Sequence, residues 1–106
     1  DMREAPSLTI IPSLQNRGAT IRVVDPSSMK NGKKTFPNAE FFDDTYKAAA
    51  GSDLIVILTE WNEFRALDLK RLSMSMKTKL LVDLRNIYSE KEAITAGFAQ
   101  YFSVGR

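Results

Sequence analysis

The longest uninterrupted apolar stretch of the chain is Leu54-Ile55-Val56-Ile57-Leu58, a run of leucine and β-branched residues. Because no polar residue alternates within it, the run predicts a strand buried on both faces, as in a parallel sheet covered by helices. We expect residues 54–58 to be the central strand of such a sheet, with residues 80–84 in the same sheet. Shorter apolar segments predict further strands at residues 19–24 and 100–104.

Apolar residues at helical spacing predict helices before and between these strands. The first helix contains Pro12, which should kink it or disturb its hydrogen bonds. The last is expected to end at Gly97, and residues 26–43 should form a connection with little regular structure. The expected helices cover residues 6–16, residues 45–50 and residues 90–96, and one more begins after Asp68, which is expected to be its N-terminal cap.

The apolar faces of two of these helices identify candidate core residues. Met74 should also fill the core rather than form a recognition surface. The inward-facing residues are expected to be Leu69, Leu72 and Met76 on the helix after Asp68, and Ile94 and Phe98 on or just after the helix at 90–96. Strands that alternate with helices predict an α/β domain with a mostly parallel sheet.

Polar residues follow two of the predicted strands and should emerge together at the carboxyl edge of the sheet, where open α/β sheets bind ligands. Arg85 follows the strand at residues 80–84, and its planar, permanently charged fork suits phosphate. Its alternative role is a local ion pair with Asp83 or Glu90. Glu60, after the run at 54–58, could act as a general base, but we expect it to hydrogen-bond backbone and fix its loop.

Composition narrows the chemistry further. The chain has 106 residues, which predicts one domain, and 15 Lys and Arg against 13 Asp and Glu give a formal charge of +2, too small to indicate a nucleic-acid partner. It has no cysteine and no histidine, which excludes thiol nucleophiles, Cys/His zinc sites and histidine acid–base chemistry. No apolar run approaches the roughly 20 residues of a membrane-spanning helix, and no secretory leader is visible. We therefore expect a cytoplasmic protein, away from membranes.

Four segments in a fixed order resemble one family. They are residues 1–7 (Asp-Met-Arg-Glu-Ala-Pro-Ser), 59–65 (Thr-Glu-Trp-Asn-Glu-Phe-Arg), 83–86 (Asp-Leu-Arg-Asn) and 103–106 (Ser-Val-Gly-Arg). Together they resemble the C-terminal, UDP-binding domain of the UDP-glucose/GDP-mannose dehydrogenase family, over residues 1–106. The Thr-Glu-Trp with Phe-Arg is most similar to members that act on UDP-glucose.

This resemblance implies a Rossmann-like three-layer domain that lacks its usual first strand, because family members have a strand immediately before the position of Asp1. It also implies an enzyme that oxidises the C6 alcohol of UDP-glucose to a carboxylate with two NAD. In such enzymes an N-terminal Rossmann domain, which holds most of the NAD, and a central helical domain provide the catalytic residues. None of these residues is expected here.

By the same resemblance, Arg85 contacts the UDP-sugar and Arg3 reaches across the interdomain cleft to NAD. Without its first strand the sheet would expose unpaired backbone groups, so a homo-oligomer is expected. Two alternatives stay open. The substrate could be GDP-mannose or a UDP-N-acetyl sugar, or the domain could be an interdomain scaffold with little ligand contact.

Overall fold

The computed structural model describes residues 5–25, 34 and 36–104. Contacts group the chain into two compact units, residues 1–48 and residues 49–106. Every pairing between the described strands is parallel, and helices alternate with them, so the predicted α/β class is confirmed. The strands form a two-stranded sheet in the first unit and a three-stranded sheet in the second.

The first unit contains α1 (Ala5–Asn16), β1 (Arg22–Val24), β2 (Glu40–Phe42) and most of α2 (Thr45–Ala49). The helix α1 continues through Pro12. β2 lies inside the connection that we expected to lack regular structure, and it pairs with β1 so that Val23 is opposite Phe41. Arg22 stabilises this unit by donating from Nη1 to the carbonyl of Ala48 at 3.0 Å.

The second unit is built around a sheet with the order β3-β4-β5. Its elements are β3 (Ile55–Ile57), α3 (Asn62–Arg65), α4 (Leu69–Ser75), β4 (Leu80–Asp83), α5 (Glu90–Ala96) and β5 (Gln100–Ser103). The helix α5 contacts both β5 and α4. The short helix α3 was not predicted, whereas the bounds of α5 agree with the expectation from the sequence.

The position of β3 corrects the sequence analysis. Residues 55–57 and 80–83 belong to one sheet and run parallel, as expected, but β4 is the middle strand and β3 pairs with β4 alone among the described strands. An uninterrupted apolar run indicates that the two faces of a strand are buried. It carries no information on how many neighbours the strand has along its edges, and β4 is nearly as apolar.

The core of the second unit contains four of the residues that the helical spacing identified, namely Leu69, Leu72, Met76 and Phe98. Two others were assigned wrongly, since Ile94 is 48% exposed and Met74 is 71% exposed. The remaining large buried side chains are Ile57, Phe64, Leu81, Tyr88 and Tyr101. None of the described helices is long and apolar enough to cross a membrane.

The ends of two helices follow directly from their sequence. Asp68 caps α4 by accepting a hydrogen bond from the backbone N–H of Arg71 at 3.1 Å, as expected. Ser89 and Glu92 form a reciprocal capping box at the start of α5. Gly97 ends α5 with a φ of 111°, a left-handed conformation that favours glycine.

Candidate functional site

The carboxyl ends of β3 and β4 lie side by side and bring the candidate polar residues to one edge of the sheet. Ile57 is the register partner of Asp83, and the backbone N–H of Leu84 donates to the carbonyl of Ile57 at 3.1 Å. Glu60 lies in the loop after β3 and Arg85 in the turn after β4. The prediction that these two segments meet is therefore confirmed.

Asp83 fixes the turn after β4. It is 0% exposed, and its carboxylate accepts hydrogen bonds from the backbone N–H groups of Arg85, at 3.2 Å, and Tyr88, at 2.7 Å. The hydroxyl of Tyr101 lies 3.0 Å from the same carboxylate. A buried carboxylate is tolerated only with such partners, so the backbone of Arg85 is attached to a fully buried anchor.

The side chain of Arg85 forms an ion pair with Glu60. Its Nε and Nη2 donate to Oε1 of Glu60 at 3.0 and 2.5 Å, while the other carboxylate oxygen accepts from Nη2 of Arg65 at 3.1 Å. Arg65, Glu60 and Arg85 form what we call the charged cluster. Two guanidinium groups and one carboxylate leave it with one net positive charge. All three side chains are substantially exposed, 41% in the case of Arg85.

These contacts change two interpretations made from the sequence. The partner of the Arg85 side chain is Glu60 rather than Asp83 or Glu90, and Asp83 instead binds the backbone of Arg85. Within the described residues Glu60 hydrogen-bonds two guanidinium groups and no backbone group, so the expected loop-fixing bond is wrong. The sequence identified neither Glu60 as the partner of Arg85 nor Arg65 as the second partner of Glu60.

The cluster also sets the ionisation of Glu60. The hydrogen bond from Arg85 and then its positive charge hold the pKa of the Glu60 carboxyl below its usual value, with a smaller contribution from Arg65. Glu60 therefore remains ionised through the neutral pH range. A permanently ionised carboxylate between two arginines is a poor general base, which disfavours that role for Glu60.

Two further residues, Asn86 and Tyr88, shape this edge of the sheet. Asn86 has a φ of 55°; its Nδ2 donates to the carbonyl of Val104 at 2.9 Å, and its Oδ1 accepts from the backbone N–H of Val104 at 3.2 Å. The buried hydroxyl of Tyr88 donates to the carbonyl of Phe64 and accepts from the backbone N–H of Leu67 at 3.2 Å. The turn after β4 is thereby tied both to the end of β5 and to α3.

The other candidate residues lie around or outside this region. Trp61, from the Thr-Glu-Trp segment that carries the resemblance, is half-buried at the start of α3, where its carbonyl accepts from the backbone N–H of Phe64 at 2.9 Å. Arg3 lies outside the described residues. Across residues 5–25, 34 and 36–104, no group of three acidic, histidine or cysteine side chains is placed to hold a metal ion.

Comparison with known proteins identifies the family. Residues 1–90 match the UDP-glucose/GDP-mannose dehydrogenase family, UDP binding domain. The chain belongs to this family. The matched region runs across both units and includes all three residues of the charged cluster.

Individual relatives agree with this membership. The chain is 49% identical over 106 residues to a UDP-glucose 6-dehydrogenase of Rhizobium meliloti (strain 1021) and 38% identical over 107 residues to one of Rickettsia bellii (strain RML369-C). These alignments cover 100% and 99% of the chain but only 24% of each relative, so the chain spans about a quarter of their length.

A solved structure of a UDP-D-ManNAc dehydrogenase from Pyrococcus horikoshii has the same fold. It superposes with a TM-score of 0.58 at 21% identity, over 99% of this chain and 31% of the other. The fold expected for a domain of this dehydrogenase family is therefore confirmed.

Proposed function

We propose that this chain is the UDP-sugar-binding domain of a UDP-glucose 6-dehydrogenase, and that Arg85 contacts the diphosphate of the substrate. The observation that carries the proposal is the position of Arg85 at the carboxyl end of the middle strand, in a family whose matching domain is described as UDP-binding. Ligands of open α/β sheets bind at this edge. The names of the most similar relatives favour UDP-glucose as the substrate.

The guanidinium of Arg85 retains the donors that such a contact needs. A guanidinium carries five N–H donors, and Glu60 occupies two of them, one on Nε and one on Nη2. The remaining three include both hydrogens of Nη1, and no other acceptor contacts them within the described part of the chain. Two parallel N–H groups on the outer edge of a guanidinium match two phosphate oxygens.

The reaction itself we assign to the rest of the enzyme. In the proposed reaction the C6 alcohol of UDP-glucose is oxidised to a carboxylate while two NAD accept the electrons. This sequence has no cysteine, no histidine and no Gly-x-Gly-x-x-Gly, so it offers neither a cysteine nucleophile nor the glycine-rich fingerprint of a dinucleotide site. NAD would be bound mainly by an N-terminal domain, with Arg3 of this chain as a single contact across the cleft.

Other features of the whole protein stay predictions that rest on the same resemblance. They are a single functional domain over residues 1–106, association with N-terminal and central domains of the same enzyme, a homo-oligomer and a cytoplasmic location. The family match across both units supports the single functional domain. The Rhizobium meliloti and Rickettsia bellii relatives are UDP-glucose 6-dehydrogenases, which favours UDP-glucose over GDP-mannose or a UDP-N-acetyl sugar.

The proposal is tested by titrating UDP into the intact enzyme and into its Arg85→Ala and Arg85→Lys variants. Loss of a hydrogen bond to a charged group costs about 1.5–3 kcal/mol, so Arg85→Ala should weaken UDP binding by about one to two orders of magnitude. Lysine should rescue only part of this, because a point charge lacks the fork. Arg71→Ala, on the exposed surface of α4, removes the same charge elsewhere and should leave the affinity unchanged.

Parallel titrations with GDP test the GDP-mannose alternative, since a GDP-sugar enzyme should bind GDP more tightly than UDP. An Arg85→Ala variant with unchanged affinity for UDP would instead show that the nucleotide is held elsewhere and that this domain is a scaffold.

A further inference from the structure

We infer that Glu60 is a positioning residue for nucleotide binding, which holds the Arg85 guanidinium side-on so that its outer edge is presented to a diphosphate. This inference rests on the proposed contact between Arg85 and UDP. It assigns a specific task to a carboxylate that would otherwise repel the ligand, and it predicts that removal of this negative charge weakens the binding of an anion.

The orientation of the contact is the first observation that supports this role. Nε and Nη2 of Arg85 both donate to one oxygen of Glu60, Oε1. These donors belong to the side edge of the guanidinium, and their use leaves the end edge, which comprises Nη1 and the second hydrogen of Nη2, for a ligand. A carboxylate that blocked the phosphate site would instead occupy that end edge.

The second observation is that Glu60 is itself held from its other side. Its Oε2 accepts from Nη2 of Arg65 at 3.1 Å, so the two oxygens serve two different arginines. Arg65 lies on α3, whose end is tied to the turn after β4 by the hydroxyl of Tyr88. The carboxylate thus has a fixed place from which to orient Arg85, and Arg65 offsets its charge.

The third observation concerns the exposure of Arg85. Its side chain is 41% exposed, and among the described residues Glu60 alone forms a hydrogen bond or an ion pair with its guanidinium. A long side chain that is free in solution loses rotamer entropy when a ligand binds it, and this loss weakens the complex. With Glu60 in place, much of that ordering has occurred before the nucleotide arrives.

The alternative role for this ion pair is a latch in which Glu60 competes with the phosphate for Arg85. The two roles predict opposite signs, because removal of a competitor tightens binding whereas removal of a positioning group weakens it. The side-on geometry and the net positive charge of the cluster favour positioning.

The test is a double-mutant cycle on UDP affinity in the intact enzyme, measured by calorimetry with Glu60→Ala, Arg85→Ala and the double variant. We expect Glu60→Ala to weaken UDP binding by about 2- to 12-fold, the range that ordering one flexible side chain spans. In the Arg85→Ala background the same change should not weaken UDP binding, because Glu60 acts through Arg85. Glu60→Gln retains an oxygen acceptor, so its affinity for UDP should lie between that of the unchanged enzyme and that of Glu60→Ala.

Glu63→Ala serves as the matched control, since Glu63 is an exposed acidic residue on α3 outside the cluster. It should leave the UDP affinity unchanged. Tighter binding by Glu60→Ala would establish the latch and overturn the inference. The inference would also be overturned if Glu60→Ala weakened UDP binding equally in the unchanged enzyme and in Arg85→Ala. The same holds if Glu60→Ala had no effect while Arg85→Ala alone weakened binding. Either result would leave the proposed function intact. If Arg85→Ala did not change the affinity for UDP, both this inference and the proposed function would be overturned.

Discussion

At the scale of single residues, the candidate site combines a buried anchor with an exposed working group. Asp83 is fully buried and binds the backbone of Arg85, whereas the guanidinium two residues later lies at the surface. Hydrogen bonds to a buried carboxylate are stronger than those in water, so the backbone of the turn is well fixed. An exposed ion pair is much weaker, and Glu60 can therefore restrict Arg85 without withdrawing it from a ligand.

The sign of the pKa shift at Glu60 leads to a direct test of the cluster. Because the folded pKa lies below the unfolded value of about 4.3, the ion pairs of Glu60 stabilise the fold above that pH and lose their effect as pH falls through the folded pKa. In Arg85→Ala the pKa of Glu60 should rise towards its usual value, since Arg85 is the main cause of the shift. The measurement is a carbon NMR titration of the Glu60 carboxyl.

Arg65→Ala provides the matched comparison for this titration. Arg65 contributes less to the lowered pKa than Arg85 does, so its removal should raise the pKa of Glu60 by a smaller amount. A larger rise for Arg65→Ala than for Arg85→Ala would show that the ion pair between Glu60 and Arg85 is not the stronger one in solution.

At the scale of elements, the sequence predicted the helix ends and that residues 54–58 and 80–84 share a parallel sheet, but it missed the strand order and the register. The bounds of α5 follow from Ser89, Glu92 and Gly97, which are local signals of a helix start and stop. The pairing of Glu60 with Arg85 joins residues 25 positions apart and requires the register of β3 against β4. No local pattern in the sequence encodes that register.

The same reasoning explains the elements and faces that were predicted wrongly. β2 has three residues and α3 has four, and α3 lacks a side-chain cap, so neither carries a periodic pattern that can be detected. Ile94 was expected to face inward, but it is the adjacent Ala93, 0% exposed, that α5 buries. A small residue at the centre of a helix contact permits close approach, and hydrophobicity alone does not identify it.

The contact between α4 and the end of α5 can be tested at Gly97. A Cβ at Gly97 would lie 2.9 Å from the Oγ of Ser73, and the φ of 111° is itself unfavourable for other residues. Left-handed conformations cost about 1–2 kcal/mol in residues that carry a Cβ. Gly97→Ala should therefore lower the free energy of unfolding by more than that amount, as measured by urea denaturation.

Gly51→Ala separates the two causes of this loss. Gly51 has a φ of 73°, but nothing lies within 4 Å of the position of its Cβ, so this variant should suffer the conformational cost alone. Equal losses at Gly97 and Gly51 would show that the hydroxyl of Ser73 moves aside without cost.

At the scale of the whole molecule, the proposed function implies a site that is only partly contained in this chain. The sequence identified Arg85 and the edge of the sheet because both follow from a strand that ends in polar residues, and the structure confirmed that placement. Arg3 could be named by resemblance alone, and it lies outside the described residues. Its proposed role involves atoms of other domains, and the chain spans about a quarter of the length of its relatives.

This division of the site predicts that the 106-residue chain alone will not form NADH when it is mixed with UDP-glucose and NAD. Oxidation of an alcohol to a carboxylate in this family is expected to pass through a covalent adduct with a cysteine, and the sequence contains none. The measurement is NADH absorbance with the purified chain, and the longer enzyme serves as the positive control. Turnover by a preparation shown by mass spectrometry to contain no longer enzyme would contradict the assignment of the chemistry to other domains. In that case Arg85 would belong to a complete active site within this chain, and the chain would do more than bind the nucleotide of the substrate.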